Sequence, residues 1–149
     1  MSSSANTLQL KNILVNQPTQ TPEEAIVHSG QILQQAGYVT PRYIEGMLAR
    51  DKSFSTAIGN LIAIPHGEKE YKQEILATGL SVLAYPQGID WNGTPVKLVI
   101  GIAAKGDEHL EILERIVESL ESEEDVEQLV QKGDAQAIYN LLAGGEANA

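Results

Sequence analysis

The sequence predicts an α/β domain of three layers, and three observations lead there. Short apolar runs that read as buried strands alternate with segments of helical periodicity. The helical segments carry recognisable start and stop residues. No Pro-, Gly- or Ser-rich linker divides the chain, so residues 1–149 are expected to form one domain.

Met1 to Asn6 is expected to be a disordered leader. Leu8 to Leu14 mixes alternation with a short apolar run, which suits a strand or a turn. Thr21-Pro22-Glu23-Glu24 is a capping box: the Thr hydroxyl and the Glu carboxylate satisfy orphan N–H groups, and Pro occupies the first helical position. Ala25, Ile26, Ser29, Ile32, Leu33 and Ala36 follow helical spacing, and Gly37 stops that helix. Thr40-Pro41 is expected to start a second helix in the same way, with Ile44, Met47 and Leu48 as its buried stripe. Asp51 to Gly59 reads as a loop, and Leu61 to Ile64 and Ile75 to Tyr85 read as strands.

The Asn-Gly pair in Asp90-Trp91-Asn92-Gly93-Thr94 signals a tight turn between strands, because both residues tolerate positive φ. Val96 to Ala104 is nearly all apolar, as expected of a strand covered on both faces. Gly106-Asp107 opens a helix whose inner side carries Leu110, Ile112, Leu113, Ile116, Val117 and Leu120. Ser122 caps a further helix with Val126, Leu129 and Val130, closed by Gly133. Asp134 caps the last, with Ile138, Leu141 and Leu142, closed by Gly144-Gly145.

Composition excludes several function classes. The net charge of −10 argues against nucleic acid, which needs Lys and Arg to neutralise phosphates, and favours a partner with a basic docking patch. No apolar run approaches a membrane span, and the Met1-Ser2-Ser3-Ser4 start lacks signal-peptide character. A soluble cytoplasmic protein without membrane insertion is the expectation. The absence of Cys removes disulfides, thiolate catalysis and Cys-ligated metal.

The leading candidate for chemistry is His66 in Ile62-Ala63-Ile64-Pro65-His66-Gly67. A buried strand halts at Pro, and the imidazole follows at the strand end, where α/β proteins place their reactive groups. His is the side chain suited to nucleophilic work near neutral pH, and Gly67 is expected to let another molecule approach closely. His109 is the second candidate. With Asp107 as N-cap it lies in the first turn of a helix directly after the VKLVIGIAA strand, beside N–H groups and a dipole end that favour an anion. If the two strands lie near each other, both imidazoles reach one sheet edge. Such a pair suits either a metal or an imidazole whose anionic adduct its neighbour stabilises. Arg50, at the end of the second helix and off its apolar stripe, has a guanidinium that can fork onto phosphate oxygens. His28 reads as a surface residue, Trp91 as a packing anchor, Glu108 as solvent-facing, and Glu121 to Asp125 as a solvated helix start. No P-loop, dinucleotide fingerprint, HExxH or G-x-S-x-G motif is present, and a two-His metal site lacks a clear third ligand.

Met47-Leu48-Ala49-Arg50-Asp51-Lys52, Ser55-Thr56, the IPHG segment, Tyr85-Pro86-Gln87-Gly88, Val99 to Ala104 and Glu108-His109-Leu110 together resemble the mannitol/fructose-type enzyme IIA domains of the bacterial phosphoenolpyruvate-dependent sugar phosphotransferase system. The resemblance runs from about Leu8 to Gly144. It implies a mixed sheet with helices on both faces, and a mixed, mostly parallel sheet is the expectation. It implies that His66 accepts a phosphoryl group from the histidine phosphocarrier protein and passes it to a Cys of enzyme IIB, serving a membrane IIC transporter. It implies that His109 stabilises and orients, that Arg50 contacts the phosphate, and that neither metal nor other cofactor is needed. Asn60 stands where mannitol-type members often carry Glu, and Ile58-Gly59-Asn60 resembles the nitrogen-regulatory branch, whereas the GIAAKGDEHL segment favours the mannitol branch. A mannitol carrier is therefore the expectation, with a fructose carrier or a regulatory protein as alternatives.

Overall fold

The computed structural model describes residues 8–105 and 108–142, with the backbone alone described at 108–110. In chain order the regular elements are β1 (Ile13–Leu14), α1 (Pro22–Gln35), α2 (Tyr43–Ser53), β2 (Ala57–Gly59), β3 (Ile62–Ala63), β4 (Gly79–Trp91), β5 (Thr94–Ala103), α3 (Glu108–Ser119), α4 (Glu123–Lys132) and α5 (Ala135–Leu142). The strands form one sheet in the order β1-β4-β5-β3-β2.

Side-chain alternation along the central strands divides the core in two. Leu98, Ile100 and Ile102 of β5 pack with Leu80, Val82 and Ala84 of β4 against Ile112, Ile116, Val126, Val130 and Ile138 of α3, α4 and α5. Val99 and Ala103 face the other way with Leu83 and Tyr85, under Ala25, Ile26 and Leu33 of α1 and Met47 of α2. The three-layer architecture is thus a direct consequence of two buried strands that are apolar at both parities.

The sheet is mixed, but the expectation of mostly parallel pairing is corrected. β1/β4 and β3/β5 are parallel, while β4/β5 and β2/β3 are antiparallel. Both antiparallel pairs are hairpins, which short turns allow only between antiparallel strands. The β4/β5 turn is the expected Asn92-Gly93, with φ of 54° and 98°. The β2/β3 turn is Asn60-Leu61, also at positive φ (53° and 67°), inside a region read from sequence as loop followed by strand. Leu61 is therefore a turn residue rather than the first strand residue, and Asn60 occupies a conformation that Asn tolerates better than most residues.

Other boundaries move for identifiable reasons. The capping box at Thr21 and Glu24 forms as expected, and Gly37 follows α1 at φ 87°. Thr40 does not cap α2, because its hydroxyl is bonded to the Glu74 carboxylate; the helix starts at Tyr43 without a side-chain cap. α2 then runs through Asp51 to Ser53, into the stretch expected as loop. Ile75 pairs in an isolated bridge with Val39, so β4 begins later, at Gly79. It also runs past Tyr85 to Trp91 through a register shift between Ala84 and Ile89, where Pro86 has no N–H for the ladder. Val117 and Leu141, assigned to inner faces, are substantially exposed. Ser122 and Gly133 bound α4 as expected, and Asp134 Oδ1 accepts from the Gln136 N–H at the start of α5. Gly106, Asp107, Gly144 and Gly145 lie outside the described residues.

The tight turn that sets the β4/β5 register gives a simple test. Gly93→Ala meets no atom within 4 Å but must adopt φ 98°. It is expected to lower stability by about 1 kcal/mol in urea unfolding through backbone strain alone.

Candidate active site

β3 is parallel to β5, so both strands end at the same edge of the sheet. Beyond β3, Ile64 N–H donates to Thr56 O at 2.9 Å, and Ile102 N–H donates to Pro65 O at 2.9 Å. Pro65 is buried and has no N–H, so the ladder loses a donor there and the chain begins to leave the sheet. His66 makes one last parallel bridge with Ile102, which places its backbone beside the end of β5.

The His66 ring is half-buried, and Nδ1 lies 2.8 Å from the carbonyl oxygen of Ile64. A carbonyl only accepts, so Nδ1 carries the hydrogen and the basic lone pair is on Nε2. Burial lowers the pKa of His66 from its ordinary value of 6.5; the Ile64 carbonyl acts in the opposite sense, and the positive charge of Arg50 adds to the lowering. The imidazole is accordingly neutral at pH 7, with its nucleophilic nitrogen specified.

Tyr43, at the start of α2, holds the turn beneath the ring. Its hydroxyl donates to Ile102 O at 2.9 Å and accepts from Gly67 N–H at 2.8 Å. Burial pushes the phenol pKa up, so it remains neutral and able to donate. A Cβ on Gly67 would lie 2.5 Å from Tyr43 Cε1. The expectation that Gly67 makes room for another molecule is therefore corrected: the space is taken by the ring of Tyr43.

Arg50 sits in the last turn of α2 rather than at its end. Its Nη1 donates to Phe54 O at 2.9 Å, and Cζ lies 5.5 Å from the centre of the Phe54 ring. Phe54 is 73% exposed, so this guanidinium and apolar ring together face solvent. The charge of Arg50 acts on His66, so the structure brings these two sequence candidates near each other. His109 lies in the first turn of α3, beyond the end of β5; its side chain is outside the described residues. His28 is half-buried on α1, and Trp91 is fully buried, as expected of a packing anchor.

Sequence reading missed Tyr43 and the role of Asp51. Asp51 Oδ1 accepts from Thr56 N at 2.8 Å, from Thr56 Oγ1 at 2.7 Å and from Trp91 Nε1 at 3.0 Å. The available signal was Trp91 itself, since a buried indole N–H calls for an acceptor. Asn60 donates through Nδ2 to Glu121 O ahead of α4. A cleft of about 650 Å³ is lined by Glu23 and Ile26 of α1 and by Glu45, Leu48 and Asp51 of α2; His66 is not in its walls. Among the described residues no group of three His, Asp or Glu side chains is placed to hold a metal ion. No helix of the described residues is long and apolar enough to cross a membrane.

These features define a class: an α/β protein presenting a neutral, tautomer-fixed imidazole beside a guanidinium at the edge of a mixed sheet. The chain belongs to the EIIA 2 family of the phosphoenolpyruvate-dependent sugar phosphotransferase system, whose family model matches residues 6–144. As a member it is a phosphotransferase component of that system. It is 42% identical over 141 residues to the mannitol-specific phosphotransferase enzyme IIA component of Halalkalibacterium halodurans, covering 95% of this chain and 96% of that protein. It is 43% identical over 137 residues to the corresponding component of Bacillus subtilis, covering 89% of this chain and 96% of that protein. Its fold matches enzyme IIA in the Escherichia coli complex of mannitol enzyme IIA with phosphorylated enzyme IIB, with a TM-score of 0.85 and 35% identity, over 92% of this chain and 99% of that one.

Burial of His66, with the nearby charge of Arg50 acting in the same sense, fixes the sign of its pH response. A lowered folded-state pKa means that the unfolded chain takes up the proton first as pH falls. The stability held by the neutral ring is therefore complete above pH 6.5 and is lost as pH falls from there through the folded-state value. NMR titration of the native protein is expected to give a His66 midpoint below 6.5, and Arg50→Gln is expected to raise that midpoint by removing a cation. An unchanged midpoint in the variant would separate Arg50 from the site.

Proposed function

We propose that this chain is a mannitol-branch enzyme IIA phosphocarrier that works through a phosphohistidine at His66 Nε2. The observation that carries this reading is the 2.8 Å contact between His66 Nδ1 and Ile64 O, which leaves the attacking lone pair on Nε2. The mannitol assignment is supported by the names of the relatives from H. halodurans and B. subtilis.

In the first step Nε2 attacks the phosphorus of the phosphohistidine on the histidine phosphocarrier protein. The Nε2–P bond forms as the donor N–P bond breaks, and the donor imidazole leaves with the electron pair. In the second step a Cys sulfur of enzyme IIB attacks the same phosphorus and Nε2 departs with its electron pair, loading the protein that serves the membrane IIC transporter. An acceptor of the IIB type is supported by the similar E. coli IIA, which was solved in complex with phosphorylated IIB. The reaction takes place in the cytoplasm in this reading, and no resident metal or nucleotide takes part.

Phosphoryl transfer has a loose transition state, so the protein chiefly positions the groups and stabilises charge. A neutral imidazole attacks near pH 7, and the lowered pKa of His66 keeps it in that form. The Nδ1–H bond to Ile64 O stabilises the positive character that the ring gains when Nε2 is phosphorylated. Retaining that proton also keeps the imidazole a good leaving group for the second step. The phosphoryl group adds roughly −1.5 to −2 charges at pH 7. Arg50 offsets them, with His109 and the N-terminal end of α3 in the same role. The largely exposed Phe54 ring beside Arg50 gives a partner an apolar contact next to the reacting atoms.

Incubation with phosphoenolpyruvate, enzyme I and the histidine phosphocarrier protein tests the reading by intact mass. One acid-labile phosphoryl group is expected on the native chain and none on His66→Ala. Adding the mannitol IIB domain is expected to drain the label. A label on another side chain, or failure to load from this donor, would overturn the proposal; loading without drainage to IIB would remove the mannitol-carrier assignment.

A further inference from the structure

The reading of His66 and Arg50 as transfer residues leaves open what holds their two segments in register. Arg50 is on α2 and His66 is beyond β3, and the stretch Phe54–Thr56 passes between them. That stretch makes a bond in each direction. Phe54 O accepts from Arg50 Nη1 at 2.9 Å, and Thr56 O accepts from Ile64 N at 2.9 Å. Ile64 O in turn accepts from His66 Nδ1 at 2.8 Å.

A single carboxylate oxygen anchors the stretch. Asp51 Oδ1 takes both the N–H and the hydroxyl of Thr56, which is only 2% exposed, and also the indole N–H of the fully buried Trp91. Trp91 ends β4 at the β4/β5 hairpin, so the carboxylate ties α2, the Phe54–Thr56 stretch and the sheet together. Three donors converging on one carboxylate oxygen form charge-assisted bonds, stronger than neutral ones. Asp51 also lines the neighbouring cleft, whose walls do not include Thr56 or Trp91.

We infer that Asp51, with Thr56 and Trp91, is the positioning clamp of the transfer site, setting the Nδ1–H tautomer of His66 through Ile64 and the placement of Arg50 through Phe54. In this role Asp51 acts through Thr56 and Trp91 rather than on the reacting atoms. The inference rests on the proposed role of His66 for its effect on transfer, but its effect on the ring itself is independent of that role. Free imidazole side chains in water favour the Nε2–H form, so loosening Ile64 O releases His66 toward the tautomer whose Nε2 cannot attack.

The test combines nitrogen NMR of the His66 ring with transfer rates measured over a range of donor concentrations up to saturation. Thr56→Val removes one donor to Asp51 and preserves side-chain shape; Asp51→Ala removes the acceptor; Thr56→Ser and Asp51→Asn retain hydrogen-bonding groups. In Thr56→Val and Asp51→Ala the ring signature is expected to move from Nδ1–H toward Nε2–H. Transfer is expected to slow by about 10-fold in Asp51→Ala with the donor KM unchanged, since small misplacements of reacting groups cost that much or more. Thr56→Ser and Asp51→Asn are expected to restore the native signature in large part. Because Asp51→Ala leaves buried donors without an acceptor, Thr56→Val is the variant that decides if the former does not fold. A native ring signature in folded Thr56→Val, or in folded Asp51→Ala, overturns the inference. Failure of the native chain to load at His66 would overturn the proposed function instead, and the ring signature would still decide the clamp.

Discussion

The bond from His66 Nδ1–H to the Ile64 carbonyl is the interaction on which the site depends. It converts a side chain with two possible tautomers into one with a specified nucleophile. It requires Ile64 O to point out of the ladder just where β3 gives way to Pro65. The proline helps to bring this about: it supplies no N–H to the sheet, yet its own carbonyl still accepts from Ile102, so the backbone is held while the ladder ends. The next residue is then delivered to the edge shared by β3 and β5.

Around that bond the fold supplies rigidity from both layers. Tyr43 bridges the Gly67 N–H and the Ile102 carbonyl from the α1/α2 side, and the close approach of its ring explains why residue 67 has no side chain. Ile64 and Ile102 are buried with the α3–α5 side of the core. The imidazole is thus fixed in a half-buried position, where desolvation keeps it neutral, while Arg50 and Phe54 remain accessible next to it. A carrier must accept a group and give it up again, and a half-buried nucleophile with a cation nearby suits both requirements better than an enclosed pocket would.

Much of this was legible in the sequence because the relevant signals are local. The capping box at Thr21, the Asn92-Gly93 turn, the Ser122 and Gly133 bounds of α4 and the Pro65-His66 strand end each depend on a few consecutive residues. The doubly buried β5 was legible from its unbroken apolar run. What sequence reading lost depends on distant partners. Thr40 looked like a helix cap, but its hydroxyl goes to Glu74, 34 residues away. Strand β2 was hidden because Ala57-Ile58-Gly59 is short and followed by residues in a left-handed turn, and with it went the second hairpin and the correct balance of parallel and antiparallel pairs. The role of Asp51 is not local in the sequence, because its three donors come from Thr56 and from Trp91, whose burial is legible but whose N–H partner is not. The Ile58-Gly59-Asn60 sequence that suggested a regulatory branch has a conformational explanation in the positive φ at residues 59 to 61.

The most direct measurement of the central claim is the position of phosphorus on the ring of the loaded protein. Phosphorus–nitrogen coupling in the nitrogen-labelled protein distinguishes the two ring atoms. Coupling to Nε2, with the Nδ1 hydrogen retained, is the predicted result. Coupling to Nδ1 would mean that the Ile64 carbonyl does not select the nucleophile, and would contradict the account.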